Sequence, residues 1–281
     1  HMGNTGDTPQ PGFDEWVSFE GQGQYFGNTL NVNGKREKLD SDNYITDELT
    51  TRAEKWISTV KDKPFAMYLS HKGVHAEFMP AKRHQGKYKD LPVISPQSMY
   101  LTVTDSSKQF GVVTPPKSTV NYKDIPRWVR DQRYSWHGVD YMYHGQIPFD
   151  EFYHLYLETL LAVDESIQSV IKWVEDSGLK ENTMIVYMGD NGFMFGEHGL
   201  IDKRNAYEES MRVPMLVWAP GIVKANSVVP QMVLNIDLAP TFLELAGVPK
   251  PAQMQGQSFL PLLKGENIAW RDKVFYEYYW E

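Results

Sequence analysis

The sequence predicts an α/β fold with a largely parallel central sheet and helices on both faces. Three observations lead there. Two short apolar runs, Met184–Met188 and Pro214–Trp218, lack polar alternation, and unbroken runs of this kind suit strands covered on both faces. Two long stretches repeat apolar residues at three- and four-residue steps, the period of an amphipathic helix. Strand, helix, strand, loop, strand, helix then follow one another along the chain, the order of a layered α/β domain.

Residues 1–40 are rich in Gly, Asn and Gln without a sustained period and read as loop with short extended pieces. The first helix follows, because Ile45, Leu49, Ala53, Trp56, Ile57 and Val60 share one face. Asp47 and Glu48 sit in its first turn, where the helix dipole favours anions, and Pro64 ends the segment. Phe65–Leu69 is a short apolar run bounded by Pro64 and His71 and reads as a buried strand. Residues 71–148 are punctuated by seven prolines, from Pro80 to Pro148, and read as an irregular loop region over a site. A long helix is predicted from Asp150 to Asp176, with Phe152, Leu155, Leu160, Val163, Ile167, Val170 and Val174 on its apolar face and Gly178 as its stop. Ile236–Ala246 forms the last helix, with Gly247 just past its end.

A chain of 281 residues is long enough for one large domain, and the sequence is read as a single, partial α/β domain spanning 1–281. A formal charge of -8 argues against a general nucleic-acid binder, although a local cluster of Lys, Arg and His can still hold an anion. No apolar run approaches the roughly 18 residues of a membrane span. Cysteine is absent, which excludes disulfides, thiolate metal sites and a cysteine nucleophile within this stretch. Aromatic residues concentrate between Trp128 and Tyr156 and read either as core packing or as the lining of a ring-bearing ligand site.

Chemistry gathers after the apolar run at 184–188. Asp190 and Asn191 offer adjacent hard oxygens, one anionic and one neutral, which suit Ca²⁺ or Mg²⁺. The same Asp-Asn-Gly stretch is also an ordinary tight turn. Beyond it, Gly196-Glu197-His198-Gly199 and Asp202-Lys203-Arg204 combine glycines with charged groups. Lys203 lies far enough along for its loop to fold back over a cation, where the ammonium can hold an anion's oxygen as a point charge.

Several spaced blocks now agree in order. Asp190-Asn191-Gly192, Gly196-Glu197-His198-Gly199, Asp202-Lys203 and Tyr207-Glu208-Glu209-Ser210-Met211-Arg212-Val213-Pro214 resemble the second signature region of the sulfatase family, within the alkaline-phosphatase-like superfamily. Tyr68-Leu69-Ser70-His71-Lys72-Gly73-Val74-His75 looks like the segment that brings a sulfate-binding histidine into the site. Asp237-Leu238-Ala239-Pro240-Thr241 and Gly256-Gln257-Ser258-Phe259-Leu260-Pro261 match further downstream. The resemblance covers roughly residues 64–263. It implies that Asp190 and Asn191 ligate a divalent cation, usually Ca²⁺ with Mg²⁺ the alternative, and that His75 and Lys203 contact the sulfate. His198 is implied as a substrate contact or a neighbour of the site. His71 is read as structural, and Glu208, Glu209 and Arg212 as internal salt-bridge and packing residues.

The family's Asp-Asp metal block and its C-x-P-S-R or S-x-P-S-R block, whose first residue becomes the formylglycine nucleophile, do not occur in this sequence. Both are expected in an upstream part, and the family's small C-terminal sheet is expected downstream. The implied activity is hydrolysis of sulfuric esters, with a sulfated small molecule or glycan as substrate. The charged and aromatic loop from Arg127 to His144 motivates the sugar. This chain alone is expected to be inactive. Alternatives are a phosphate or phosphonate ester hydrolase of the same superfamily and a noncatalytic sulfated-glycan-binding fragment. Localisation follows only by analogy with relatives that are periplasmic, secreted or lysosomal, and the sequence sets no oligomeric state.

Overall fold

The structure is a computed structural model that describes residues 6–99, 137–139 and 147–277. The described residues fall into two compact units. One is drawn from His1–Ser177 and Phe195–Ile201, the other from Gly178–Met194 and Asp202–Glu281.

The first unit opens with a sheet where the sequence reads as loop with short extended pieces. Strands β1 (Val17–Ser18), β2 (Thr29–Val32) and β3 (Lys35–Lys38) form an antiparallel meander. Val32 faces Lys35 across the two-residue turn Asn33–Gly34. Both turn residues have positive φ, 51° and 90°, as a type I′ hairpin turn requires, and Asn-Gly is the pair that adopts it at least cost. The β3 residues Lys35, Arg36, Glu37 and Lys38 are all exposed, so the sheet ends on a charged edge that discourages further pairing.

Helix α1 (Ile45–Val60) starts at the first residue of its predicted face and buries Ile45, Leu49, Ala53 and Ile57, spaced every four residues. Helix α2 (Phe149–Asp176) begins at Pro148 and buries Phe152, Thr159, Ala162, Val163, Ser166 and Val174. The two helices pack on each other, with Thr50 Oγ1 2.6 Å from Ser166 Oγ. The core they share with the meander joins Phe19, Tyr25, Leu30, Leu39, Tyr44, Ile45, Leu49 and Ala162. Arg83 pairs with Asp47 on α1 and Glu165 on α2 and clamps the following loop to both.

Phe65–Leu69 is a correction. It runs without ladder partners among the described residues, and Tyr68 is 82% exposed. A short apolar run shows that a segment wants cover, but it does not supply the neighbouring strand.

The second unit contains β4 (Ile185–Met188) and β5 (Met215–Trp218), both at their predicted places. They pair antiparallel, Ile185 opposite Trp218 and Met188 opposite Met215. The parallel order read from their unbroken runs therefore does not hold for this pair. Such runs report cover on both faces, not the direction of the neighbour. A short helix α3 (Glu208–Met211) precedes β5, and α4 (Leu238–Leu245) and α5 (Leu260–Leu263) follow. Phe259, Leu262 and Leu263 form the core of this unit, with Met184, Met215, Val217 and Trp270 packed around them.

Asp237 organises the same unit. Its carboxylate is fully buried, pairs with Arg271 through both oxygens, and accepts from the Leu234 and Gln257 backbone N–H groups, each at 2.8 Å. The motif Asp237–Thr241 thus serves structure. Among the described residues, no helix is long and apolar enough to cross a membrane.

Candidate active site

In the second unit β4 ends at Met188 and delivers Gly189, Asp190 and Asn191 as a turn. Asp190 is exposed, and its Oδ1 accepts from the Asn191 N–H at 2.9 Å. Asn191 Nδ2 donates to the Gly192 carbonyl at 2.6 Å. Asp190 Oδ2 and Asn191 Oδ1 are left without hydrogen-bond partners among the described residues. The turn and the ligand readings are therefore compatible, since the turn uses one carboxylate oxygen and leaves two hard donors over.

The chain then doubles back. Gly192 N–H donates to the Ser210 carbonyl at 2.8 Å and Met194 N–H to the Asp202 carbonyl at 2.8 Å. Gly192 is required here, because a Cβ would lie 1.9 Å from the Glu209 carbonyl oxygen, which is backbone and cannot give way. This pairing starts the Lys203 segment on the strip of chain beside the Asp190–Asn191 turn. Lys203 is half-buried, and its neighbour Asp202 is buried and held by Arg204 at 2.6 Å.

In the first unit His198 sits in the 3₁₀ turn Glu197–Gly199 with φ 58°, and its N–H donates to Ser98 Oγ at 3.1 Å. The preceding Phe195 packs among Phe78, Phe152, Tyr153 and Tyr156, with its centroid 4.6 Å from Tyr156. These aromatics therefore serve packing. His137–Val139 is stitched to the same turn, Ile201 N–H donating to the His137 carbonyl at 2.7 Å and Val139 N–H to the Gly199 carbonyl at 3.1 Å. The rest of the predicted Arg127–His144 loop lies outside the described residues.

His75 is half-buried in the same unit. Its Nδ1 is 2.5 Å from the Ala76 carbonyl oxygen. A carbonyl only accepts, so Nδ1 carries the proton. The Lys72 ammonium lies 4.6 Å from the centroid of the Tyr25 ring. Burial lowers its pKa, partly opposed by Glu77. The sequence reading gave neither Lys72 nor Tyr25 a role. Lys72 stands inside the Tyr68–His75 block, but nothing in the sequence ties Tyr25 to a histidine fifty positions on.

His71 is half-buried, with its Nδ1 shielded from solvent. Its Nε2 is 3.0 Å from Ser166 Oγ, and burial pushes its pKa down to about 4. Glu208 and Arg212 do pair, at 3.5 Å, but both are exposed, so the bridge is a surface one rather than internal. His75 and His198 thus belong to the first unit, and Asp190, Asn191 and Lys203 to the second.

Comparison with known proteins fits this arrangement of blocks. The family model described as Sulfatase matches residues 1–248. N-acetylglucosamine-6-O-sulfatase of Bacteroides thetaiotaomicron is 32% identical over 311 residues, covering 95% of this chain and 55% of that protein. N-acetylglucosamine-6-sulfatase of Bos taurus is 32% identical over 283 residues, covering 98% of this chain and 46% of that protein. A solved protein in complex with its substrate D-glucosamine-2-N,6-O-disulfate superposes with a TM-score of 0.77 at 30% identity, covering 97% of this chain and 63% of that one. The chain belongs to the sulfatase family, and its fold is of the alkaline-phosphatase-like α/β class. It spans about half the length of the curated relatives it matches.

Proposed function

We propose that the protein to which this chain belongs hydrolyses sulfate esters of an amino sugar, with 6-O-sulfated N-acetylglucosamine as the substrate class. The relatives at 32% identity carry that activity in their names, and the neighbour at 30% identity holds a sulfated glucosamine. The family match runs across both units, which supports reading them as parts of one catalytic domain.

Asp190 and Asn191 are assigned as two oxygen ligands of a divalent cation, Ca²⁺ or Mg²⁺. The residues fit that role, since both are hard donors at a strand end and each keeps an oxygen outside the turn's own hydrogen bonds. Two oxygens do not complete a shell of 6 to 8, so other ligands come from elsewhere in the protein. When bound, the cation supplies positive charge against the nonbridging sulfate oxygens. A formylglycine nucleophile is expected outside this sequence, which has no Cys.

Lys203 is assigned to the sulfate as a point charge that stabilises oxygens of the transferring group. His75 offers Nε2 and, once protonated, gives that proton to the departing alcohol. His198 is assigned to the substrate. The observation that carries the reading is the doubling back of Gly192–Met194 onto Ser210 and Asp202, because it runs the Lys203 segment beside the Asp190–Asn191 turn.

The test is steady-state kinetics of the full-length protein on 6-O-sulfated N-acetylglucosamine and on the matched phosphate ester. Lys203→Ala and His75→Ala are each expected to lower kcat/KM on the sulfate by roughly 100-fold or more. Preference for the phosphate ester, or saturable hydrolysis of a simple aryl sulfate with no activity on any sulfated sugar, overturns the assignment.

A further inference from the structure

His75 is held through its backbone by a single distant side chain. The Tyr25 hydroxyl donates to the His75 carbonyl at 2.7 Å, and the His75 N–H reaches back to the same hydroxyl at 3.1 Å while also meeting the Lys72 carbonyl at 2.9 Å. One phenol oxygen thus satisfies both backbone polar groups of one residue, fifty positions away in sequence. The imidazole itself is pinned through Nδ1 on Ala76, so backbone and ring are both fixed.

Tyr25 is well placed to hold something still. It is 2% exposed, stacks on Tyr44 at 5.9 Å, and its own carbonyl accepts the Ile45 N–H at the start of α1. The Lys72 ammonium rests over its ring. Burial raises the pKa of its hydroxyl above the ordinary tyrosine value, so the group stays protonated and remains a donor. The ring's packing is already accounted for by the core. The hydroxyl's pair of bonds serves only His75.

We infer that Tyr25 is the positioning residue for His75: its hydroxyl fixes the backbone from which Nε2 is aimed at the sulfate ester. The inference rests on the reading of His75 as a sulfate-contacting group. Tyr25 does not itself touch the substrate and acts through the histidine. A small misplacement of a reacting group costs much rate with little cost in binding, so the effect belongs mainly in kcat.

The experiment is a double-mutant cycle in the full-length protein with 6-O-sulfated N-acetylglucosamine, using Tyr25→Phe, His75→Ala and the pair. Tyr25→Phe keeps the ring, its packing and the site under Lys72, and removes only the hydroxyl. It is expected to lower kcat/KM roughly 10- to 100-fold, mostly through kcat, and to change the rate by less than about twofold once His75 is already Ala. Loss of equal size in both backgrounds marks Tyr25 as a general packing residue and overturns the inference. Wild-type kinetics in Tyr25→Phe, with His75→Ala still impaired, overturns the inference and leaves the proposed function standing. Wild-type kinetics in His75→Ala overturns both. If Tyr25→Phe gives no cooperative melt above the assay temperature, 3-fluorotyrosine at position 25, nearly isosteric and with a more acidic hydroxyl, takes its place in the same cycle. A change in kcat that vanishes in the His75→Ala background supports the inference, and no change, or one that persists there, overturns it.

Discussion

His71 has a structural role that its hydrogen-bond partners explain. Its Nε2 meets Ser166 Oγ at 3.0 Å, Ser166 meets Thr50 at 2.6 Å, and Thr50 donates to the Thr46 carbonyl at 2.7 Å. A consistent chain of donors runs from the imidazole to that carbonyl, with His71 neutral and protonated on Nε2. Burial holds its pKa at about 4, with Asp47 pulling weakly the other way, against an ordinary 6.5. Between those values the unfolded chain binds the extra proton, so stability falls as pH falls. The contribution is intact above pH 6.5 and lost as pH drops toward 4, up to about 3 kcal/mol in all. Urea unfolding at pH 7.5 and pH 5 is the measurement. The wild type is expected to lose more stability over that interval than His71→Gln, and equal losses in the two would show that His71 is not the group responsible. The resemblance had already set His71 apart as structural and His75 as the sulfate contact. The physical difference lies in what a ring nitrogen touches: Nε2 meets a buried hydroxyl in His71, and Nδ1 meets a backbone carbonyl in His75.

At the scale of elements, what the sequence revealed depended on whether a signal was local. Helices α1 and α2 were legible because their buried positions recur at helical period within one segment, and Pro64 and Gly178 mark where each ends. The β2–β3 hairpin was equally local. Asn33-Gly34 between Thr29–Val32 and Lys35–Lys38 was the available signal, and a Gly- and Asn-rich neighbourhood masked it. The lack of a ladder partner for Phe65–Leu69 among the described residues and the antiparallel direction of β4 and β5 were beyond reach, since both depend on segments distant in sequence. Two glycines make the point testable. A Cβ at Gly192 would meet backbone at 1.9 Å, whereas at Gly196 it would meet Met99 Cε at 1.9 Å, the far end of a flexible side chain. Gly192→Ala is therefore expected to cost about 3 kcal/mol or more, by pushing the Asp190 turn away from Glu209. Gly196→Ala, strained by its φ of 97°, is expected to cost about 1–2 kcal/mol. Thermal melts of the two variants rank them, and the reverse order would refute the close approach at Gly192. Asp237→Asn belongs to the same scale. It leaves Arg271 uncompensated beside a buried amide and is expected to cost about 3–5 kcal/mol, with intact stability counting against the buried pair as the hub of its unit.

At the scale of the whole molecule the question is how much chemistry these residues can perform by themselves. The formal charge of -8 gives no general attraction for a sulfated ligand, so the proposed binding has to come from individual cations such as Lys203. A cation held through Asp190 and Asn191 would add to them, but two oxygens leave most of its shell to water. The sequence has no Cys and no Ser within x-P-S-R, so the covalent route through a formylglycine is closed to these residues alone. What remains is electrostatic stabilisation of a sulfate attacked by water. Where a catalytic nucleophile is removed from a well-studied hydrolase, binding and charge stabilisation leave a residual acceleration of about 10³–10⁴, far short of the 10⁶ or more that makes an enzyme. The 281-residue chain, supplied with millimolar Ca²⁺ and 6-O-sulfated N-acetylglucosamine, is accordingly expected to show no measurable turnover. Ion chromatography of the released sulfate makes the measurement. Steady turnover that disappears in Lys203→Ala would mean that a nucleophile sufficient for the reaction lies among these residues, and that the division of labour drawn for this chain is mistaken.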